Sequence, residues 1–136
     1  MKKKVFEAKM KDLAPLYHNG APVYQRFSQI RNVLLPLGEQ YAELLCEPQV
    51  MGDRIIWMSS YVSSPVPVDS LPAGEKQAAQ SKVNSLLAAV SRHCDQLKAD
   101  GRAEYANILE QAVSIPDYGC ILWEGGRVVL ASWGFA

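Results

Sequence analysis

The chain has 136 residues, 49% of them apolar and 21% charged, with 14 Lys plus Arg against 14 Asp plus Glu. A chain of this length buries roughly two-thirds of its extended surface, so its composition excludes disorder and any need for a metal or disulfide staple. The neutral balance excludes a broad basic face, and no nucleic-acid partner is expected.

Residues 1–14 carry the one charge block, Lys2-Lys3-Lys4, with Lys9 and Lys11 behind it. This segment reads as flexible or partly helical, a solvated terminus, with contact to an acidic surface as the alternative. No apolar stretch follows the lysines, so the start does not resemble a signal peptide. No window reaches 18 apolar residues, and no membrane insertion by this segment is expected.

Residues 15–136 read as a single α+β domain: a small antiparallel sheet packed by a helical hairpin and a proline-interrupted helix. The sheet would combine an N-terminal hairpin, a central strand and a C-terminal hairpin. The first hairpin turns at Asn19-Gly20, a type I′ signal, between Leu16-Tyr17 and Val23-Tyr24. Pro15 and Pro22 donate no ladder bond and put this hairpin at an edge. Ile30, Val33, Leu34, Leu37, Tyr41, Leu44 and Leu45 then recur at helical spacing, with Ser28 as N-cap. Pro36 and Gly38 break that helix into two pieces, and Glu47-Pro48 ends it.

Gly52-Asp53 is a turn and Arg54–Ser59 a strand, with Ile55, Trp57 and Ser59 pointing one way. Pro65, Pro67 and Pro72 mark extended, edge-like chain. A long helix follows from about Pro72 to Ala99, with Val83, Leu86, Leu87, Val90, Cys94 and Leu97 as its apolar stripe. Asp100-Gly101 stops it. A second helix from Ala103 to about Val113 turns Tyr105, Ile108, Leu109 and Ala112 inward, and the short link makes the pair an antiparallel hairpin. Cys120–Trp123 and Arg127–Trp133 close the chain as two strands joined at Gly125-Gly126.

No catalytic residue is assigned. His93 and Cys94 are neighbours on a helix, where adjacent side chains diverge by about 100°. Cys94 falls on the apolar stripe and His93 off it. Two remote histidines and three cysteines (Cys46, Cys94, Cys120) without a CxxC pair give no zinc spacing, so no metal or cofactor is expected. The cysteines read as reduced thiols, at least two of them buried. Glu124-Gly125-Gly126-Arg127 joins strands and lacks the spacing of a phosphate loop. An alternative reading is a hydrolase or transferase of unrecognised type, using Asp53, Ser59, Ser60 and Asp117 at the sheet end.

The candidate binding residues are Trp57, Tyr61, Val66, Trp123 and Trp133. Three tryptophans on three strands would form an aromatic ledge if exposed; as core anchors each would bury on the order of 200 Å². Val66 and Val23 lie on edges that a partner strand could extend.

The stretches NGAPVY, GDRIIWMSSYVSSPVPVDSLP and DYGCILWEGGRVVLASWGF, the last two separated by two helices, cover residues 19 to 135. In this arrangement the chain resembles the N-terminal region of the SrfA-like bacterial virulence-factor family. Trp57, Ser70-Leu71-Pro72 and Trp133-Gly134 match the pattern. The resemblance brings no catalytic motif. It implies that longer members continue past Trp-Gly into a low-complexity linker and a membrane-spanning helix, with this domain cytoplasmic at the inner membrane and Ala136 a domain boundary. The expected function is a non-catalytic binding or assembly module with a protein partner, and the resemblance implies a virulence-associated setting. A secreted effector would need an export signal that the chain does not display.

Overall fold

Phe6, Ala8 and Met10 alternate with Glu7, Lys9 and Lys11, the period of a half-buried strand. In the computed structural model, which describes residues 1–136, Lys3–Lys9 is accordingly strand β1, and Phe6, Ala8 and Met10 pack against the core. Of the 1–14 segment expected to be flexible or partly helical, residues 3–9 are therefore part of a sheet and Met10–Asp12 form a 3-10 turn. Strands β2 (Tyr17–His18) and β3 (Ala21–Pro22) turn at Asn19 and Gly20, both at positive φ, as a type I′ turn requires. Val23 and Tyr24, expected on the second strand, lie instead in a short 3-10 turn and are buried.

Helix α1 (Phe27–Leu34) buries Ile30 and Leu34. Ser28 falls inside its first turn rather than at the cap. Pro36 limits the continuation to a 3-10 turn, and Gly38 (φ 117°) leads into the single turn of α2 (Glu39–Ala42). Strand β4 (Glu47–Met51) follows, where the sequence pattern gave only a helix end and a turn. It pairs with β5 (Arg54–Ser59), whose other side pairs with β1, in the order β1-β5-β4. Ile55, Trp57 and Ser59 share the buried face of β5.

Strand β6 is two residues long, Val66–Pro67. Helix α3 (Ala73–Ala99) buries Ala79, Val83, Leu86, Val90, Cys94 and Leu97. It ends in a Schellman motif: Gly101 (φ 78°) donates to Lys98 O and Arg102 to Leu97 O. Helix α4 (Ala103–Ala112) returns antiparallel with Ala106, Ile108, Leu109 and Ala112 inward. Tyr105 is exposed rather than inward, and the Arg102 guanidinium lies 5.1 Å from its ring centre.

Strands β7 (Ile121–Glu124) and β8 (Arg127–Leu130) form the closing hairpin, in the order β6-β7-β8. Gly125 and Gly126 supply positive φ angles of 56° and 85°. The last strand ends at Leu130, before Trp133, because the backbone turns at Ser132 (φ 50°). Ala131 to Phe135 then enter the core. The strands form three small sheets rather than one. Two isolated bridges supplement them: Leu45 to Leu130 in parallel, and Pro15 to Phe135 in antiparallel. The architecture is α+β, with the helices and the C-terminal residues sharing one core.

Candidate protein-interaction surface

Trp57 and Trp133 have no exposed surface and meet edge to face at 5.6 Å. Trp133 Nε1 donates to Cys46 O at 2.6 Å, and Phe135 stacks on Tyr24 at 5.3 Å. These two tryptophans are core anchors, so the aromatic ledge of three does not exist. Val66 and Trp123 meet in one ladder, while Tyr61 is held by Arg127. Val66 sits opposite Trp123 in the ladder and is 42% exposed. Arg127 lies over the Tyr61 ring at 4.4 Å and donates to Tyr61 O at 2.8 Å. Glu124 accepts from the backbone N–H of Ser63 (3.0 Å) and Ser64 (2.7 Å). Those donors hold its carboxyl below the ordinary range. The loop beside β6 is thus pinned at both ends.

This patch offers little to a partner strand. Strand β6 has two residues, and Pro65 and Pro67 flank Val66. The other edge proposed from sequence, at Val23, is buried.

The long free edge belongs to β1, which has a neighbour on one side only. The phase of its ladder follows from one bond, Met10 N–H to Asp53 O at 2.8 Å. Antiparallel pairs alternate between bonded and non-bonded, so Ala8 and Phe6 bond inward to Ile55 and Trp57. The N–H and C=O groups of Glu7 and Lys9 therefore face away from the sheet. Toward the N-terminus a bulge between Lys4 and Phe6 interrupts the run. At the opposite edge, the same alternation leaves Pro48 and Val50 of β4 facing out. Pro48 has no N–H, so that edge presents one donor.

Charge also distinguishes the β1 edge. Five lysines stand against one glutamate in residues 1–11 of a chain that is neutral overall. Lys2 pairs with Glu47, while Glu7 is shared by Lys4 and Arg54. Lys4 and then Arg54, both bonded to it, keep the Glu7 carboxyl below its ordinary value. Lys3, Lys9 and Lys11 have no carboxylate partner. The sequence signal for this strand was the alternation at Phe6, Ala8 and Met10, masked by the lysines around it.

The groups with chemical potential elsewhere stand apart. Cys94 is buried, and burial pushes its thiol up to about 11. His93 points into a separate cleft of about 370 Å³ between α1 and the α3–α4 link, where its Nε2 donates to Val33 O at 2.9 Å. Cys46 and Cys120 are also buried free thiols, and burial raises both. Asp53 and Ser59 lie at opposite ends of β5, about 20 Å apart at the usual strand rise. Ser59 Oγ accepts from the N–H of Tyr61 and Val62, and Asp117 caps a 3-10 turn by accepting from Gly119 N–H at 2.8 Å. No three His, Cys, Asp or Glu side chains are grouped to hold a metal ion. No helix is long and apolar enough to cross a membrane.

Comparison of the chain with protein-family models, curated proteins and solved structures finds no match.

Proposed function

We propose that this chain is a non-catalytic binding and assembly module that recruits a protein partner by strand addition at β1. The observation that carries the reading is the proline-free outer edge of β1, with the backbone groups of Glu7 and Lys9 unpaired. Such groups are satisfied by water in the free chain and by a partner strand in a complex. The resemblance to SrfA-like N-terminal regions supports a cytoplasmic, virulence-associated setting for that assembly. The hydrolase alternative draws no support from a convergence of its residues: Asp53 lies at the far end of β5 from the adjacent Ser59 and Ser60, and Asp117 caps a separate 3-10 turn.

The test is a substitution that removes an outward donor, together with the carboxylate that pairs with Lys4 and Arg54. Glu7→Pro deletes the outward N–H and leaves the bonds to β5 in place. Native partner capture, with cross-links mapped to residues 3–9, should succeed with the parent chain and fail with Glu7→Pro, while circular dichroism shows both folded. Equal capture by both chains would overturn the reading.

A further inference from the structure

We infer that the partner segment taken up by β1 is an extended, acidic peptide with carboxylates on alternate residues. This rests on the strand-addition reading above and adds the chemistry of the partner. Along β1 the solvent face carries Lys4, Glu7 and Lys9, while Phe6 and Ala8 face the core. A strand docked beside β1 repeats that division, because side chains alternate across a sheet. Its residues on the solvent face meet Lys4 and Lys9; Lys3, opposite Ser59, lies on the other face beyond the bulge, and Lys11 lies in the 3-10 turn past the strand.

Glu7 is already occupied by Lys4 and Arg54, so it does not cancel Lys3, Lys9 and Lys11. A carboxylate opposite Lys9 gains a partner that the free chain lacks. Residues on the other face of the incoming strand lie next to Phe6 and Ala8 and extend the apolar layer. The pattern that fits is thus acidic on one face and β-branched on the other.

The lysines also decide against self-pairing. Two copies of β1 placed edge to edge bring lysine rows together, and like charges across a ladder destabilise it. A nucleic acid or an anionic membrane would answer the lysines but leave the N–H and C=O groups of Glu7 and Lys9 unused. The coincidence of an open backbone edge and unpaired lysines on one strand is what selects a peptide.

The experiment uses the full 136-residue chain, labelled for amide NMR, and three blocked peptides of about eight residues, the length of an ordinary strand. They alternate Thr with Glu, with Gln or with Lys. The Glu peptide should shift the Glu7 and Lys9 amides and bind about tenfold or more tightly than the Lys peptide, with affinity falling as salt rises. Glu7→Pro should abolish this binding although it makes the edge more positive, which separates backbone pairing from simple attraction. If the Gln peptide binds as well as the Glu peptide, the acidic preference is wrong and strand addition stands. If no peptide shifts Glu7 or Lys9, the lysines and the bulge guard the edge and both readings fall. If phosphatidylserine vesicles or a DNA oligonucleotide shift the lysine amides equally in the parent and Glu7→Pro chains, and the Glu peptide does not, the surface is a general anion site and the inference is overturned.

Discussion

Strand β1 and the segment from Ala131 to Phe135 lie at opposite ends of the chain and are placed in opposite ways. The lysines of β1 line an outer edge, whereas Trp133 and Phe135 have no exposed surface. Both ends run beside other chain segments, yet they use their backbones differently. At the C-terminus the N–H groups are taken up internally: Ala131 by Cys120 O, Gly134 by Ser114 O and Ala136 by Ala14 O. On β1 the N–H and C=O groups of Glu7 and Lys9 face out with no backbone partner. A buried backbone must find its partners within the molecule, while an edge can leave them for another chain. The C-terminal end is thus built into the core, and β1 keeps its outer backbone groups open.

The strongest way to break this division is at Trp133. Trp133→Ala removes an aromatic core side chain and strands Cys46 O, and we expect a loss of about 3–5 kcal/mol in urea unfolding. A loss below about 1 kcal/mol would mean that the C-terminal segment is not a core element. The next effect lies on β1 itself. Ala8→Pro removes an inward ladder bond and should cost about 2 kcal/mol, while Glu7→Pro, one residue away, should cost well under half of that. Equal losses at the two positions would show that the ladder phase is wrong. Gly134→Ala comes third, at about 1–2 kcal/mol. Gly134 has φ 77°, and an added Cβ would meet Val23 Cγ1 at 3.3 Å. A neutral outcome would indicate that this backbone turn relaxes freely.

The smallest effect separates the tip of the C-terminal hairpin from its root. Glu124 has a lowered folded-state pKa because Ser63 and Ser64 donate to it. A lowered value contributes stability above the ordinary carboxylate pKa of 4.5 that is lost as pH falls through the folded value. The Ser63 and Ser64 amides should therefore stay protected at neutral pH and open below pH 4.5. Glu124→Gln should remove that pH dependence and change global stability by no more than about 0.5 kcal/mol. A large global loss would place the pinned loop in the scaffold.

The sequence made some elements legible because local chemistry and tertiary environment agree. Asn19-Gly20 and Gly125-Gly126 name their turns, and the α3 stripe from Val83 to Leu97 is long enough to fix a face. Trp57 and Trp133 were ambiguous, since a tryptophan on a strand serves equally as anchor or ledge until its neighbours are known. β4 was hidden because Glu47-Pro48-Gln49 has little strand character and is held by its pairing with β5. β1 was hidden by its lysines, which read as a solvated tail although Phe6 and Ala8 kept the period of a strand. Tyr105 fell on the predicted inward face of α4 yet lies outside, under Arg102. The surface that emerged as the functional candidate is thus the one whose composition least resembles folded structure.

Amide hydrogen exchange across β1 tests the open edge most directly. Glu7 and Lys9 should exchange near the rate of unprotected amides, while the alternate residues Phe6, Ala8 and Met10 are protected, and Ala131 and Gly134 exchange only through global unfolding. Uniform protection from Phe6 to Met10 would mean that the outer groups of β1 are already bonded, leaving no edge for another chain.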